Sequence, residues 1–123
     1  MLNPKSNPLR DKKYRDSFKK TGEHICLISG SIFPDAAHIR HGFFATGMKP
    51  DDSLIMPLRH DLHMEQHDIG EVQFYIKYFN QIPEHMRLRA FQEVKTTPDN
   101  RRDIMEIIKQ IARNYYKEWK HKQ

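Results

Sequence analysis

Between Ala36 and His67 the chain gathers a histidine, a pair of aspartates and two further histidines four residues apart. His38 sits in a short apolar segment, Asp51 and Asp52 follow a glycine-bearing loop, and His63 and His67 close the stretch. On a helix, positions four apart lie one above the other on the same face, so His63 and His67 form a two-imidazole clamp. A base, a carboxylate and two helical imidazoles suffice to hold one divalent cation and to activate a water beside it. Six of the eight histidines fall between His24 and His67, and the chain around them is basic. This combination points to metal-dependent cleavage of a nucleic acid.

Each of these residues has a chemical and a plainer reading. His38 could take a proton from the attacking water, since an ordinary imidazole titrates near pH 6.5. It could equally be a third metal ligand, or a hydrogen-bonded structural histidine. One carboxylate of Asp51–Asp52 could complete the metal sphere or orient His38, and turn capping is the ordinary use of such a pair. Arg40 and Arg59 flank the stretch, and a guanidinium fits a phosphate bidentately. Together with Lys49 they are candidate phosphate contacts, with solvated surface charge as the alternative. His41 and His60 are weaker candidates.

The elements that must position these groups are short. His24–Ile28 and Ala36–Ile39 read as strands separated by turns at Ser29–Ser31 and Pro34–Asp35. The loop from Gly42 to Asp52 is irregular by composition. Leu54–Met56 reads as a returning strand closed by Pro57, which cannot donate to a central ladder. Arg59 to Asp68 reads as a helix ending near Gly70. The remainder is helical. Val72, Tyr75, Ile76 and Phe79 mark one stripe, and Met86, Ala90, Phe91 and Val94 a second. A third runs from Ile104 through Ile111 to Trp119 after a Thr97–Pro98 start. The aromatic residues of these stripes read as core.

Length and composition set the frame. A chain of 123 residues allows one domain with a modest core. Residues 1–20 read as a basic N-terminal arm, either a solvated tail or an arm following phosphates. Residues 21–123 read as the domain, with its core over about 25–70 and a helical extension over 71–123. A formal charge of +5 and a pI near 9.4 favour an anionic partner, nucleic acid before membrane. The mean hydropathy of −0.84 and the absence of a long apolar run predict a soluble protein with no membrane span and no signal peptide. The single cysteine, Cys26, excludes an intramolecular disulfide and suits a reducing cytoplasm.

The linked strings A-H-I-R at 37–40, T-G-M-K-P-D-D at 46–52 and P-L-x-x-x-x-H-x-x-x-H at 57–67, followed by Gly70, resemble the HNH (His-Me finger) endonuclease superfamily. Within it the chain looks most like small phage-associated HNH proteins, including the RecA-dependent recombination-enhancement nucleases. The resemblance covers about Ile25 to Phe74. It implies an α+β fold with a ββα-metal core, to which this chain adds C-terminal helices, and one divalent ion (Mg2+, Mn2+ or Zn2+). It assigns His38 as general base, His63 and His67 as metal ligands, Asp52 as the acidic position of the K-P-x-D segment, and Arg40 as the arginine after the strand histidine. It also implies a bacterial or phage-infected cytoplasm and a recombination or replication partner.

Two departures stand out. Some relatives carry a metal-binding histidine where this chain has Ala37, so the sphere here is filled by Asp52, by water, or by His38 itself. The paired C-x-x-C half-sites that hold a structural zinc in many HNH domains correspond here to Cys26, Ser29, Arg59 and Leu62. One thiol remains, so no Cys-bound structural zinc is expected, with apolar packing in its place. The reading is a metal-dependent HNH-type endonuclease acting on DNA, its sequence specificity weak or set by a partner. The rival is a non-catalytic nucleic-acid-binding protein on a decayed HNH scaffold.

Overall fold

The computed structural model describes residues 8–42, 49–95 and 101–123, with the side chains of Arg101 and Arg102 excepted. Helix α1 spans Lys12–Lys20, strands β1 and β2 span Asp35–His38 and Ile55–Leu58, and α2 spans His60–Ile69. Helices α3 (Glu71–Tyr78), α4 (Glu84–Val94) and α5 (Arg101–His121) follow, with a 3-10 turn at Phe79–Gln81. The fold is α+β, mainly helical, with one two-stranded antiparallel sheet among the described residues.

α1 starts because Asp11 accepts the Tyr14 N–H at 3.1 Å, and Lys19 and Lys20 in its last turn suit the helix dipole. Its apolar pair, Tyr14 and Phe18, is buried with Ile55 and Trp119 in one cluster. The residues before the helix are tied down as well. The Asp52 N–H donates to the Leu9 carbonyl at 2.8 Å, and the Leu9 N–H donates to Asp51 Oδ2 at 3.2 Å. From Leu9 to Lys20 the basic segment is therefore docked on the domain, and residues 1–7 lie outside the described residues.

β1 and β2 pair in register from Asp35 opposite Leu58 to His38 opposite Ile55. Pro57 fits because the sheet stops at two strands, so its missing N–H breaks no second ladder. All four residues of β2 are buried, and this strand packs against α5. The expected first strand, His24–Ile28, is not formed. The chain makes a single bridge, Ile25 to Ile32, and turns sharply where the Gly30 N–H reaches the Cys26 carbonyl at 2.8 Å. Gly30 takes φ +79°, a conformation open to glycine and costly for other residues. This turn folds the segment back before a ladder can grow.

The helical half follows the apolar stripes. Phe74, Tyr75, Ala90, Met105, Ile107 and Ile108 are buried in one core shared by α3, α4 and α5. Gly70, at φ +89°, ends α2 and lets α3 leave at once in a new direction. The expected Thr97–Pro98 helix start and the loop residues 43–48 lie outside the described residues. No helix among the described residues is long and apolar enough to cross a membrane.

Candidate active site

β1 and α2 form two walls of one cleft of about 340 Å³, lined by Ala36, His38, Arg40, His63, Gln66 and His67 and closed by Gly70 and Glu71. Strand alternation turns Ala37 into the core, fully buried, and leaves Ala36 and His38 on the cleft side. The departure at Ala37 thus has a packing counterpart, since this side chain is one of the apolar core.

His38 is held from behind. Its Nε2–H donates to Asp52 Oδ1 at 2.9 Å, which fixes the tautomer with the lone pair on Nδ1. Nδ1 makes no hydrogen bond among the described residues, and the side chain keeps 18% exposure toward the cleft. Burial lowers the His38 pKa below the ordinary imidazole value. The Asp52 carboxylate opposes that shift, while the positive charges of Arg40 and Arg10 add to it. The ring is therefore neutral at neutral pH, with its free nitrogen available to accept a proton.

Asp52 does not serve as the expected metal ligand in this arrangement. Its side chain has no exposed surface, and Oδ2 accepts the Asp11 N–H at 2.6 Å and Arg15 Nε at 2.9 Å. Arg10 Nη1 joins His38 on Oδ1 at 3.2 Å. Four donors saturate the carboxylate and leave no lone pair directed at the cleft, which Asp52 does not line. Of the readings open for this residue, metal ligand, orienter or turn capper, the geometry is that of an orienter of His38. Asp51 is the turn capper, its Oδ1 accepting the Ser53 N–H at 2.8 Å and the Ser53 hydroxyl at 2.6 Å.

His63 and His67 do meet. Their Nε2 atoms lie 3.1 Å apart on the cleft face of α2. Two imidazoles bound to one cation at about 2.0–2.1 Å have nitrogens roughly 3.0–3.4 Å apart, so the pair fits as two cis ligands. His63 Nδ1–H donates to Asp35 Oδ2 at 2.9 Å, and His60 Nδ1 reaches the same oxygen at 2.7 Å. Lys19 Nζ holds Asp35 Oδ1 at 2.6 Å. Burial works to raise the Asp35 pKa, but hydrogen bonds from Lys19, His63 and His60 prevail and hold this carboxyl well below the usual range. Among the described residues no three His, Cys, Asp or Glu side chains are placed together as a metal-binding group. The imidazole pair would leave the remaining positions of a cation to water or substrate, as a catalytic ion requires.

The other expected contacts divide. Arg40 is exposed at the cleft, and its guanidinium has no partner among the described residues. Arg59 does not line the cleft, and both ends of its fork are held by Asp61, with Nη2 to Oδ2 at 2.9 Å. Lys49 is exposed and also lies outside the cleft lining. Of the four positions set beside the C-x-x-C half-sites by the sequence resemblance, Cys26 and Leu62 are buried in the apolar core. Burial raises the Cys26 thiol pKa, but hydrogen bonds from Ser29, with the N–H groups of Arg59 and Ile28, bring it below its usual value.

Four contributors lie outside the sequence reading of the site: Asp35 reads there as part of a turn, Arg10 and Arg15 as charges of the basic arm, and Glu71 carries no signal. The Glu71 carboxylate accepts the N–H groups of Arg40 and His41 at 2.7 and 2.8 Å, fixing the exit of β1 beside the cleft. Partners 30 or 31 positions away leave no periodic trace in a sequence. A comparison of the chain with models of protein families, with curated proteins and with solved structures returned no match.

Proposed function

We propose that the chain is a metal-dependent endonuclease of the HNH type, hydrolysing DNA phosphodiester bonds on a ββα-metal core formed by β1, β2 and α2. The observation that carries this reading is one cleft holding His38, locked through Nε2 by a buried carboxylate, together with the His63/His67 pair. His63 and His67 would hold the divalent cation. When bound, it supplies a Lewis acid that polarises the scissile phosphate and stabilises the leaving oxygen.

The chain's own residues do the rest. His38 Nδ1 accepts the proton of the attacking water as that oxygen forms its bond to phosphorus. Asp52, its oxygens fully hydrogen-bonded, keeps the ring in the productive tautomer and stabilises the imidazolium that results. Arg40, without a side-chain partner at the cleft among the described residues, holds a non-bridging phosphate oxygen. Backbone contacts of this kind carry no sequence information, so specificity is weak or set by a recombination or replication partner. A cytoplasmic setting follows from the same reading.

The test is nicking of supercoiled plasmid by wild type, with and without a chelator, and by His38→Ala. Nicking that needs a divalent cation and is lost in the variant supports the reading. Nicking that survives both changes sinks it. DNA binding without nicking in any cation would leave the non-catalytic scaffold as the better account.

A further inference from the structure

The cleft has a second buttress, and the reading of His63 and His67 as cation ligands gives it a purpose. We propose that Asp35 is the positioning residue of the imidazole pair, fixing His63 with its proton on Nδ1 so that the Nε2 lone pair points toward His67 and the cation position. A neutral imidazole offers one donor and one acceptor, and the partner of one nitrogen decides the state of the other. Asp35 Oδ2 lies 2.9 Å from His63 Nδ1, and a carboxylate can only accept, so the hydrogen is on Nδ1. The lone pair is then on Nε2, the atom 3.1 Å from His67 Nε2. A carboxylate behind a metal-bound histidine sets the ring orientation and raises its basicity as a ligand.

Three features make Asp35 suited to this work. It is the first residue of β1, paired in register with Leu58, the last residue of β2. α2 begins two residues after Leu58, so its first turns lie over that end of the sheet. Asp35 is itself held in place, because Lys19 at the end of α1 grips Oδ1 at 2.6 Å and also donates to the Phe33 carbonyl at 2.9 Å. His60 shares Oδ2 at 2.7 Å but keeps its ring 72% exposed and outside the cleft lining. His60 is thus a companion that restrains the carboxylate, and His63 is the residue the carboxylate restrains.

The experiment combines nitrogen-15 NMR of the histidine rings with calorimetric titration of Zn2+ into wild type, Asp35→Asn, Asp35→Ala and His60→Ala. In wild type without metal, His63 should carry its proton on Nδ1. Asp35→Ala should release His63 to a mixture of tautomers and weaken Zn2+ binding by about 10- to 100-fold. Asp35→Asn, whose amide oxygen still accepts, should keep the tautomer and lose less affinity. His60→Ala should leave the His63 tautomer unchanged. A wild-type His63 protonated on Nε2 overturns the proposal before any variant is made, even if Asp35→Ala does not fold. A folded Asp35→Ala with wild-type tautomer and wild-type affinity also overturns it. Wild type that binds no Zn2+ through His63 and His67 removes the metal reading itself, a result separate from the tautomer.

Discussion

His24 lies in the aromatic cluster between α1 and α5, while His38 lies on the cleft side of β1. Both are hydrogen-bonded histidines, and in both burial is the main cause of a lowered pKa. Their unused capacity differs. His24 Nε2 meets the Ser17 hydroxyl at 2.7 Å, Nδ1 meets the Tyr115 hydroxyl at 2.8 Å, and the ring stacks on Phe18 with centroids 4.0 Å apart. At 2% exposure every valence is spent inside the fold. His38 has one nitrogen fixed by Asp52 and one left toward a cleft. A histidine is equipped for chemistry when its surroundings satisfy half of it and leave the other half open.

The two regions are joined by α1, and removing that helix tests the contrast most severely. Truncation of residues 1–20 strips Tyr14 and Phe18 from the aromatic cluster and Arg10 and Arg15 from Asp52. Each large aromatic lost from a core costs about 3–5 kcal/mol, against a total stability of roughly 5–15. The truncated chain should show no cooperative melting transition. A folded truncation product with normal stability would mean that the segment is an arm after all.

His38→Ala should lower plasmid nicking by about a hundred-fold or more, with little change in melting temperature and no rescue by added cation. Rescue by cation would move His38 from base to ligand. The mirror substitution, His24→Ala, should do the reverse. It opens a cavity and strands the Ser17 and Tyr115 hydroxyls, lowering stability by about 2–4 kcal/mol in denaturant melts while nicking at low temperature persists. If His24→Ala abolished nicking in the folded protein, the contrast between the two histidines would fail.

pH sharpens the comparison further. Each histidine has a folded-state pKa below its unfolded value near 6.5, so between those values the unfolded chain binds more protons. Stability should therefore fall as the pH drops below about 6.5, and His24→Ala should flatten that slope in melts taken across the acid range. Nicking by His38 should persist to below pH 6.5, because the base stays neutral there, with an acid limb displaced downward from that of a free imidazole. A rate already half lost at pH 7 would contradict the desolvated His38. The smallest effect belongs to Arg40→Ala, which should reduce the log–log salt slope of DNA binding by about one.

The helical half was legible because core helices repeat their apolar residues at a period near 3.6, and Ile107, Ile108, Ile111 and Trp119 are buried as their spacing implies. α2 and its histidine pair were legible for the same reason, since i and i+4 meet on any helix. The strand expected at His24–Ile28 failed because Ser29 and Gly30 turn the chain too soon, and apolar composition alone does not distinguish a strand from a buried turn.

The sequence by itself determined which groups were available: a strand histidine, two imidazoles on one helix face, and a surplus of basic charge. Tertiary structure alone decided how those groups are supported. Asp52 orients His38 because residues 10–15 fold back over it with three donors, His38 being the fourth, and Asp35 supports His63 because the β1–β2 register sets it beside the first turns of α2. Local periodicity writes side chains onto a face, whereas a hydrogen bond between residues some 30 to 40 positions apart depends on how whole elements pack.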